Sequence, residues 1–136
     1  MKTWPGATAS PMLLVDDHVI VREGLKRILT PLAHEWTVTE AGDGFQALEC
    51  MRRQPFRMVI ADLSMPGMTG LEFAGRIRNL RPDLPVVLAT GHSDDLTPER
   101  VKAAGVREIL AKPYAADILA GLARRHLPPV AALRPG

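Results

Sequence analysis

The chain has a single cysteine, Cys50, among its 136 residues, which excludes an internal disulfide. This low usage fits a reducing cytosol, and the helical pattern around Cys50 predicts packing rather than chemistry. No apolar run approaches the roughly 20 residues that a membrane-spanning helix needs. The first eleven residues also lack the charged-then-apolar layout of a signal peptide. We therefore expect a cytoplasmic protein without membrane insertion.

Excess charge is small as well, with a formal net charge of +2 and a pI near 9.0. A surface that binds nucleic acid usually needs a clustered basic face, whereas the basic residues of this sequence are dispersed. We interpret the pairs Arg52-Arg53 and Arg124-Arg125 as solvated helix ends, where cations oppose the helix dipole. No direct binding of nucleic acid is predicted. The length and the 46% hydrophobic content suit one globular domain.

Five short apolar or alternating segments take turns with helical patterns along the chain. The predicted strands are 12–15, 36–40, 58–62, 85–90 and 107–111. The predicted helices are 19–29, 44 to the residue before Pro55, 70–80, 98 to about 105, and 115–126. Parallel strands need crossover connections, so this alternation predicts an α/β fold with a five-stranded parallel sheet, doubly wound, with helices on both faces. Residues 1–11 are predicted as a disordered leader or linker, 12–127 as the domain and 128–136 as a C-terminal tail.

Helix starts carry recognisable signals. Asp43 and Gln46, and likewise Thr69 and Glu72, have the spacing of a capping box at the starts of helices 2 and 3. Thr97-Pro98 places a cap residue before a proline at the first helical position, which predicts a short helix 4.

Polar groups collect at the carboxyl ends of the strands. Asp16 and Asp17 follow strand 1, Asp62 ends strand 3, Thr90 ends strand 4, and Lys112 follows strand 5. These ends share one edge of a parallel sheet, where ligands of open α/β proteins bind. Clustered carboxylates repel one another unless a cation is present, and Mg²⁺ prefers oxygen ligands. A carboxylate can act as a phosphoryl acceptor, so the set predicts a phosphoryl-acceptor site.

Taken singly, each of these residues also has a structural interpretation. Asp16 and Asp17 could cap helix 1, because aspartate is favoured at helix N-caps. Asp62 could be a loop carboxylate, Thr90 a β-branched residue at a strand end, and Lys112 a solvated charge. His18 is expected to be a solvated neighbour of the acidic pair rather than a ligand. The coincidence at one edge is what favours the functional interpretation.

The sequence resembles the response-regulator receiver (CheY-like) domain of two-component signal transduction. The resemblance rests on four motifs in the same order: Leu14-Val15-Asp16-Asp17-His18, Asp62-Leu63-Ser64-Met65-Pro66-Gly67-Met68-Thr69-Gly70, Ala89-Thr90-Gly91 and Ala111-Lys112-Pro113-Tyr114. It spans about residues 12–127 and implies a flavodoxin-like fold.

The resemblance also implies roles for particular residues. Asp62 would accept a phosphoryl group from a phosphohistidine, Thr90 would hydrogen-bond that group, and Lys112 would pair with it. Mg²⁺ would be held by Asp16, Asp17, Asp62 and the backbone carbonyl of Ser64. The peptide bond before Pro113 would be cis.

Partners and output are implied in the same way. The partner would be a histidine kinase or histidine phosphotransfer domain, and the switching face would be helix 4, strand 5 and helix 5, with a possible homodimer through it. The chain would be a stand-alone regulator or a receiver excised from a hybrid sensor kinase. Only self-catalysed phosphotransfer and slow autodephosphorylation are expected, and no other enzyme activity.

The sequence departs from the common family pattern at one position, and two further positions are expected to modulate dephosphorylation. Ile109 stands where the family commonly has an aromatic residue that moves on activation, and isoleucine is stiff at χ1. The side chains of Ser64 and His92 are expected to flank the path of the hydrolytic water. Two other functions stay open: an Mg²⁺-dependent phosphohydrolase that forms an aspartyl-phosphate, and a phosphorylation-independent interaction module.

Overall fold

The computed structural model describes residues 10–29, 36–91 and 97–111, together with Ile118, Gly121 and Arg125. Five strands are present in this part of the chain: β1 (Ser10–Val15), β2 (Trp36–Ala41), β3 (Met58–Asp62), β4 (Val86–Thr90) and β5 (Val106–Ala111). Between them lie α1 (Val19–Leu29), α2 (Gly44–Arg53), α3 (Gly70–Leu80) and α4 (Pro98–Ala103). Ile118, Gly121 and Arg125 are helical, and the rest of the predicted helix 5 lies outside the described residues.

All strand pairs in the sheet are parallel, and the strand order is β2-β1-β3-β4-β5. This is the order of the flavodoxin-like doubly wound folds, which reverses direction next to β1. The predicted fold class is confirmed. Within the described ranges, no helix combines the length and the apolarity that a membrane span requires.

Alternate residues of the same strands build two separate cores. Leu13 of β1 and Val59 of β3 face the cluster that contains Phe73 and Ile77 of α3. Their neighbours Met12 and Met58 face the opposite cluster, which contains Leu25 and Leu29 of α1. Successive side chains of a strand point to opposite faces, so a continuous apolar run such as Met58–Asp62 is needed to satisfy both cores. All five residues of β3 are accordingly buried.

Six boundaries differ from the predictions by one or two residues. Besides the starts of β1 and β5, these are the end of β2 at Ala41, the start of β4 at Val86, the end of α2 at Arg53 and the end of α4 at Ala103. β1 begins at Ser10, two residues earlier than expected, because the register continues outward from Met12 to pair Pro11 with Thr37. A proline near a strand start is tolerated, since only its N–H is missing, and the Pro11 carbonyl still accepts from the Arg57 N–H at 2.9 Å. β5 begins at Val106 rather than Arg107, beside an irregularity in its register with β4.

Capping follows the predicted positions with one change of partner. Thr69 and Glu72 form a complete capping box at α3. Asp43 accepts from the Gln46 N–H at 2.8 Å, but the Gln46 side chain accepts from the Gly42 N–H instead of closing the box on Asp43. Thr97 caps α4 as predicted.

Candidate functional site

Asp62 ends the central strand β3 and is only 6% exposed. The chain is pinned immediately after it, since the Leu63 N–H donates to the Ala89 carbonyl at 2.9 Å and the Gly70 N–H donates to the Leu63 carbonyl at 2.8 Å. A Cβ at Gly70 would lie 2.6 Å from the Asp62 carbonyl oxygen, so only glycine fits this approach. The loop therefore returns against the strand end and fixes the position of Asp62.

Asp16, at the end of β1, is held by its backbone on both sides. Its N–H donates to the Ala41 carbonyl at 3.1 Å, and its carbonyl accepts from Arg22 Nη1 at 2.5 Å. The carboxylate accepts from the His18 N–H at 2.9 Å. The residue is 2% exposed, so the carboxylate is buried in a fixed orientation.

A cluster of charged side chains on α1 and β2 holds the arginine that contacts the Asp16 carbonyl. Arg22 Nε donates to Glu40 Oε1 at 3.1 Å, and Lys26 Nζ lies 3.0 Å from Glu40 Oε2. The hydrogen bond from Lys26, more than that from Arg22, holds the pKa of the Glu40 carboxyl below its usual range. The same hydrogen bond, with the charge of Glu23, raises the pKa of Lys26. Arg22 is thereby anchored in the place from which it reaches Asp16.

The acidic residues converge on a common point. Ligand atoms of Asp16, Asp17, His18 and Asp62 all lie within 4.8 Å of one another. Three carboxylates at this spacing offer the oxygen donors and the negative charge that a hard divalent cation requires. The donor set therefore fits Mg²⁺, the ion that receiver domains bind at an acidic site.

His18 is more closely engaged than the sequence predicted. Its Nδ1 lies 3.2 Å from Asp16 Oδ1 and 3.1 Å from Asp17 Oδ1, although its side chain is 64% exposed. It is a solvated neighbour of the acidic pair, as expected, and it also bridges the two carboxylates. The sequence signal was its adjacency to Asp17, which does not specify where the ring turns.

The remaining predicted residues fall into two groups. Thr90 ends β4, is 6% exposed and pairs with Ala111 of β5. Ser64 lies two residues beyond Asp62 and lines a cavity beside the acidic residues. Ile109 pairs with Leu88 and is 39% exposed. Lys112, Pro113 and His92 lie outside the described residues.

A cavity of about 580 Å³ opens beside the acidic residues. Its lining residues come from the ends of β1 and β3 and from α3 and α4: Asp17, His18, Leu63, Ser64, Met65, Pro66, Thr69, Leu71 and Arg100. Arg100 brings a cation from α4 to the mouth of the site. Sequence reasoning missed it because nothing in a short helical segment specifies which side chain faces the strand ends.

Comparison with known proteins agrees with this geometry. The profile of the response regulator receiver domain matches residues 12–124. The response regulator UvrY of Escherichia coli K12 is 37% identical over 101 residues, which cover 74% of this chain and 46% of UvrY. This chain therefore spans less than half the length of that relative.

Solved structures are similar over almost their whole length. The chemotaxis protein CheY4 of Vibrio cholerae has a TM-score of 0.79 at 29% identity, covering 88% of this chain and 99% of that one. The response regulator TrrA of Thermotoga maritima, in complex with Mg²⁺-BeF, has a TM-score of 0.78 at 30% identity, covering 87% and 99%. With the strand order and the acidic cluster, these matches establish that the chain belongs to the response regulator receiver domain family of two-component signalling.

Proposed function

We propose that this receiver domain accepts a phosphoryl group on the carboxylate of Asp62. The observation that carries the proposal is the burial of Asp62 at the end of β3, with the ligand atoms of Asp16, Asp17 and His18 within 4.8 Å. A buried carboxylate among other carboxylates is costly unless a positively charged group compensates. A bound cation would offset the repulsion between the carboxylates, and it would allow Asp62 to accept a phosphoryl group beside them.

In the proposed step, one carboxylate oxygen of Asp62 attacks phosphorus and the P–N bond of a phosphohistidine breaks. The leaving imidazole keeps the bonding electron pair and takes up a proton, which leaves an acyl phosphate on Asp62. The Thr90 hydroxyl donates to a phosphoryl oxygen, and the Lys112 ammonium pairs with another. Such groups lower the barrier by positioning the phosphoryl group and stabilising its charge.

Asp16, Asp17, Asp62 and the Ser64 carbonyl would hold Mg²⁺. When bound, the ion neutralises the carboxylates and the phosphoryl oxygens. Asp16 is ready for this role, because its backbone is fixed by Ala41 and Arg22 and its carboxylate is aimed by the His18 N–H.

The phosphoryl donor in this proposal is a histidine kinase or a histidine phosphotransfer domain, met in the cytoplasm. The output is a change at the face formed by α4, β5 and the predicted helix 5, with a possible homodimer through that face. The transfer and a slow autodephosphorylation are catalysed by the domain itself, either as a stand-alone regulator or as part of a hybrid sensor kinase.

The decisive experiment is incubation with acetyl phosphate and Mg²⁺, followed by intact mass measurement. Wild type gains one phosphoryl group, whereas Asp62→Asn gains none. Asp83→Asn is the matched control, because its carboxylate is 82% exposed on the turn before β4, and it should behave as wild type. No gain in wild type would reject the proposal and leave the interaction module. Repeated turnover of simple phosphomonoesters would favour the phosphohydrolase.

We further propose that the side chains of Ser64 and His92 set the lifetime of the acyl phosphate. Ser64 lines the cavity next to Asp62, where it can contact the hydrolytic water. Ser64→Ala and His92→Ala should each change the dephosphorylation rate severalfold, measured by loss of the phosphorylated mass over time. Unchanged rates in both variants would reject this role.

Ile109 is proposed to stay in one rotamer on phosphorylation, so that the signal passes through Thr90 and the loop after β4. Ile109 lies in β5, and its β-branched side chain is restricted in χ1 there. Methyl chemical shifts of Ile109 with and without beryllofluoride should differ little. A large rotamer change would contradict this path.

A further inference from the structure

The opposite edge of the sheet carries a second cavity, of about 190 Å³. Four cationic side chains line it, from four different places in the chain: Arg78 near the end of α3, Arg81 just after it, Lys102 of α4 and Arg107 of β5. Four apolar residues from α3 and from around the start of β4 also line it: Ala74, Ile77, Leu84 and Val86. Among the residues that the structure describes, no carboxylate lines this cavity.

Arg78 is held in a fixed place within this group. Its Nη1 donates to the Ala103 carbonyl at 2.6 Å. Its stem packs over Gly105, where a Cβ would lie 3.0 Å from Arg78 Cδ and where φ is +78°. The guanidinium is therefore oriented before any ligand arrives, which reduces the entropy cost of binding.

The cations are poorly neutralised by the protein itself. Arg81 Nε is 3.8 Å from Asp83 Oδ1, a long contact to a carboxylate that is 82% exposed. Within the described ranges, Lys102 and Arg107 form no ion pair. Like charges gathered around one cavity repel one another, and an anion bound between them would relieve that repulsion.

We propose that this basic cavity binds a phosphate-class dianion, either free inorganic phosphate or the phosphoryl group of a small phosphomonoester. Arginine forks match the oxygens of phosphate in a bidentate manner, and lysine adds a point charge. The volume corresponds to roughly six waters at about 30 Å³ each, which is enough for one phosphoryl group with a few waters.

The basic cavity is separate from the Asp62 site. Val86 lines this cavity and begins β4, whereas Thr90 ends the same strand at the acidic edge. Four residue steps at about 3.3 Å each put these positions about 13 Å apart. A ligand in one cavity cannot touch the other, so this assignment stands or falls independently of phosphorylation at Asp62.

The test is a titration of the ¹⁵N-labelled protein with inorganic phosphate at constant ionic strength and without divalent cations. The amide signals of Ala103 and Gly105, next to Arg78, are the reporters. Saturable shifts with a dissociation constant in the millimolar range or below support the proposal. Shifts that grow linearly, or that affect all exposed amides alike, would overturn it as general screening.

Two double variants separate the cavity from overall charge. Lys102→Gln with Arg107→Gln should weaken phosphate binding by about tenfold or more. Arg52→Gln with Arg53→Gln removes the same charge from exposed sites on α2, where the side chains are 76% and 77% exposed, and should change binding less than about twofold. Equal weakening in both variants would overturn the proposal.

A parallel titration with glycerol 2-phosphate distinguishes the two sources of the ligand. Saturation by both compounds indicates that an esterified phosphoryl group fits, and saturation by inorganic phosphate alone indicates the free ion. Failure of both to saturate would overturn the assignment. Both titrations use the wild-type protein, so a folding defect in a variant cannot affect their result.

Discussion

The two edges of the sheet carry opposite charge. At the carboxyl edge, Asp16 and Asp62 are almost fully buried and belong to the strands or follow them directly. At the amino edge, the cations around the basic cavity come mostly from the ends of helices. The fold itself explains this sorting, because each helix runs back against its strands and its C-terminus reaches the amino edge. Basic residues are stabilised near helix C-termini, so they accumulate there.

The acidic and the basic residues also differ in how firmly they are held in place. The acids are fixed by backbone hydrogen bonds around the strand ends, such as those of Asp16 with Ala41 and Arg22. The bases are long side chains on the surface, and Arg78 is the member with a defined hydrogen bond to the backbone. Changes that move the backbone at the acidic edge should therefore disturb the fold, and changes of the basic side chains should disturb mainly ligand binding.

The largest expected effect is at Gly70, behind the acidic edge. Gly70→Ala puts a Cβ 2.6 Å from the Asp62 carbonyl oxygen and 2.8 Å from Leu63 Cα. These are backbone atoms that cannot move aside, so the free energy of unfolding should fall by about 3 kcal/mol. Urea denaturation measures the loss, and acetyl phosphate labelling of Asp62 should slow in parallel.

Gly75→Ala is the matched control, because Gly75 lies inside α3 with nothing within 4 Å of its Cβ position. Alanine is the better helix former, so this variant should gain about 0.5–1 kcal/mol. Equal stability of the two variants would contradict a rigid backbone behind Asp62.

The second largest expected effect is on the affinity of the acidic edge for Mg²⁺. Asp17→Asn removes one of the three carboxylates whose oxygens lie within 4.8 Å. The affinity for Mg²⁺ should fall by about tenfold, which corresponds to about 1.4 kcal/mol, and isothermal titration calorimetry measures it. Asp83→Asn leaves the cluster intact and should bind Mg²⁺ as wild type does. An unchanged affinity in Asp17→Asn would mean that Asp17 is not a ligand, directly or through water.

The smallest effect concerns Glu40, which anchors Arg22 and Lys26 behind Asp16. Because its pKa is lowered in the folded state, its ionised form adds stability above the unfolded carboxyl pKa of about 4.3. That contribution is lost as the pH falls through the lower folded value. Glu40→Gln should cost under about 1 kcal/mol at pH 7, and the cost should shrink as the pH falls below the unfolded pKa.

Urea denaturation at several pH values follows the difference between Glu40→Gln and wild type. Glu49→Gln is the control, because the Glu49 side chain is 51% exposed in its pairs with Arg52 and Arg53, and exposed pairs contribute little. A difference for Glu40→Gln that does not shrink as the pH is lowered through the acidic range would show that its carboxylate is not responsible.

Much of the fold followed from local sequence patterns. The short apolar run Met58–Ala61, which ends at Asp62 before a proline- and glycine-containing loop, favours a strand buried on both faces. Thr69 with Glu72 marks a helix start by direct hydrogen bonds. Boundaries were less predictable, because pairing between distant segments sets them. Ser10 belongs to β1 because it pairs with Trp36, and the residues next to Ser10 in the sequence do not predict that pairing.

The acidic site was predictable for the same reason that it is rigid. Strand ends bring Asp16, Asp62 and Thr90 to one edge by topology alone. Arg100 and the basic cavity depend on which way long side chains turn on α3, α4 and β5, and periodicity does not determine this. Their basic residues looked dispersed along the sequence, and only the folded chain gathers them.

α4 has only six residues, Pro98–Ala103, and contributes Arg100 to the acidic cavity and Lys102 to the basic one. A helix this short is unstable by itself and depends on its surroundings to stay folded. If ligands at both cavities favour the helical form, each must strengthen the other's binding by the same factor, as thermodynamic linkage requires. In that case α4, with about one and a half turns, couples the ligand affinities of two cavities that share no residue.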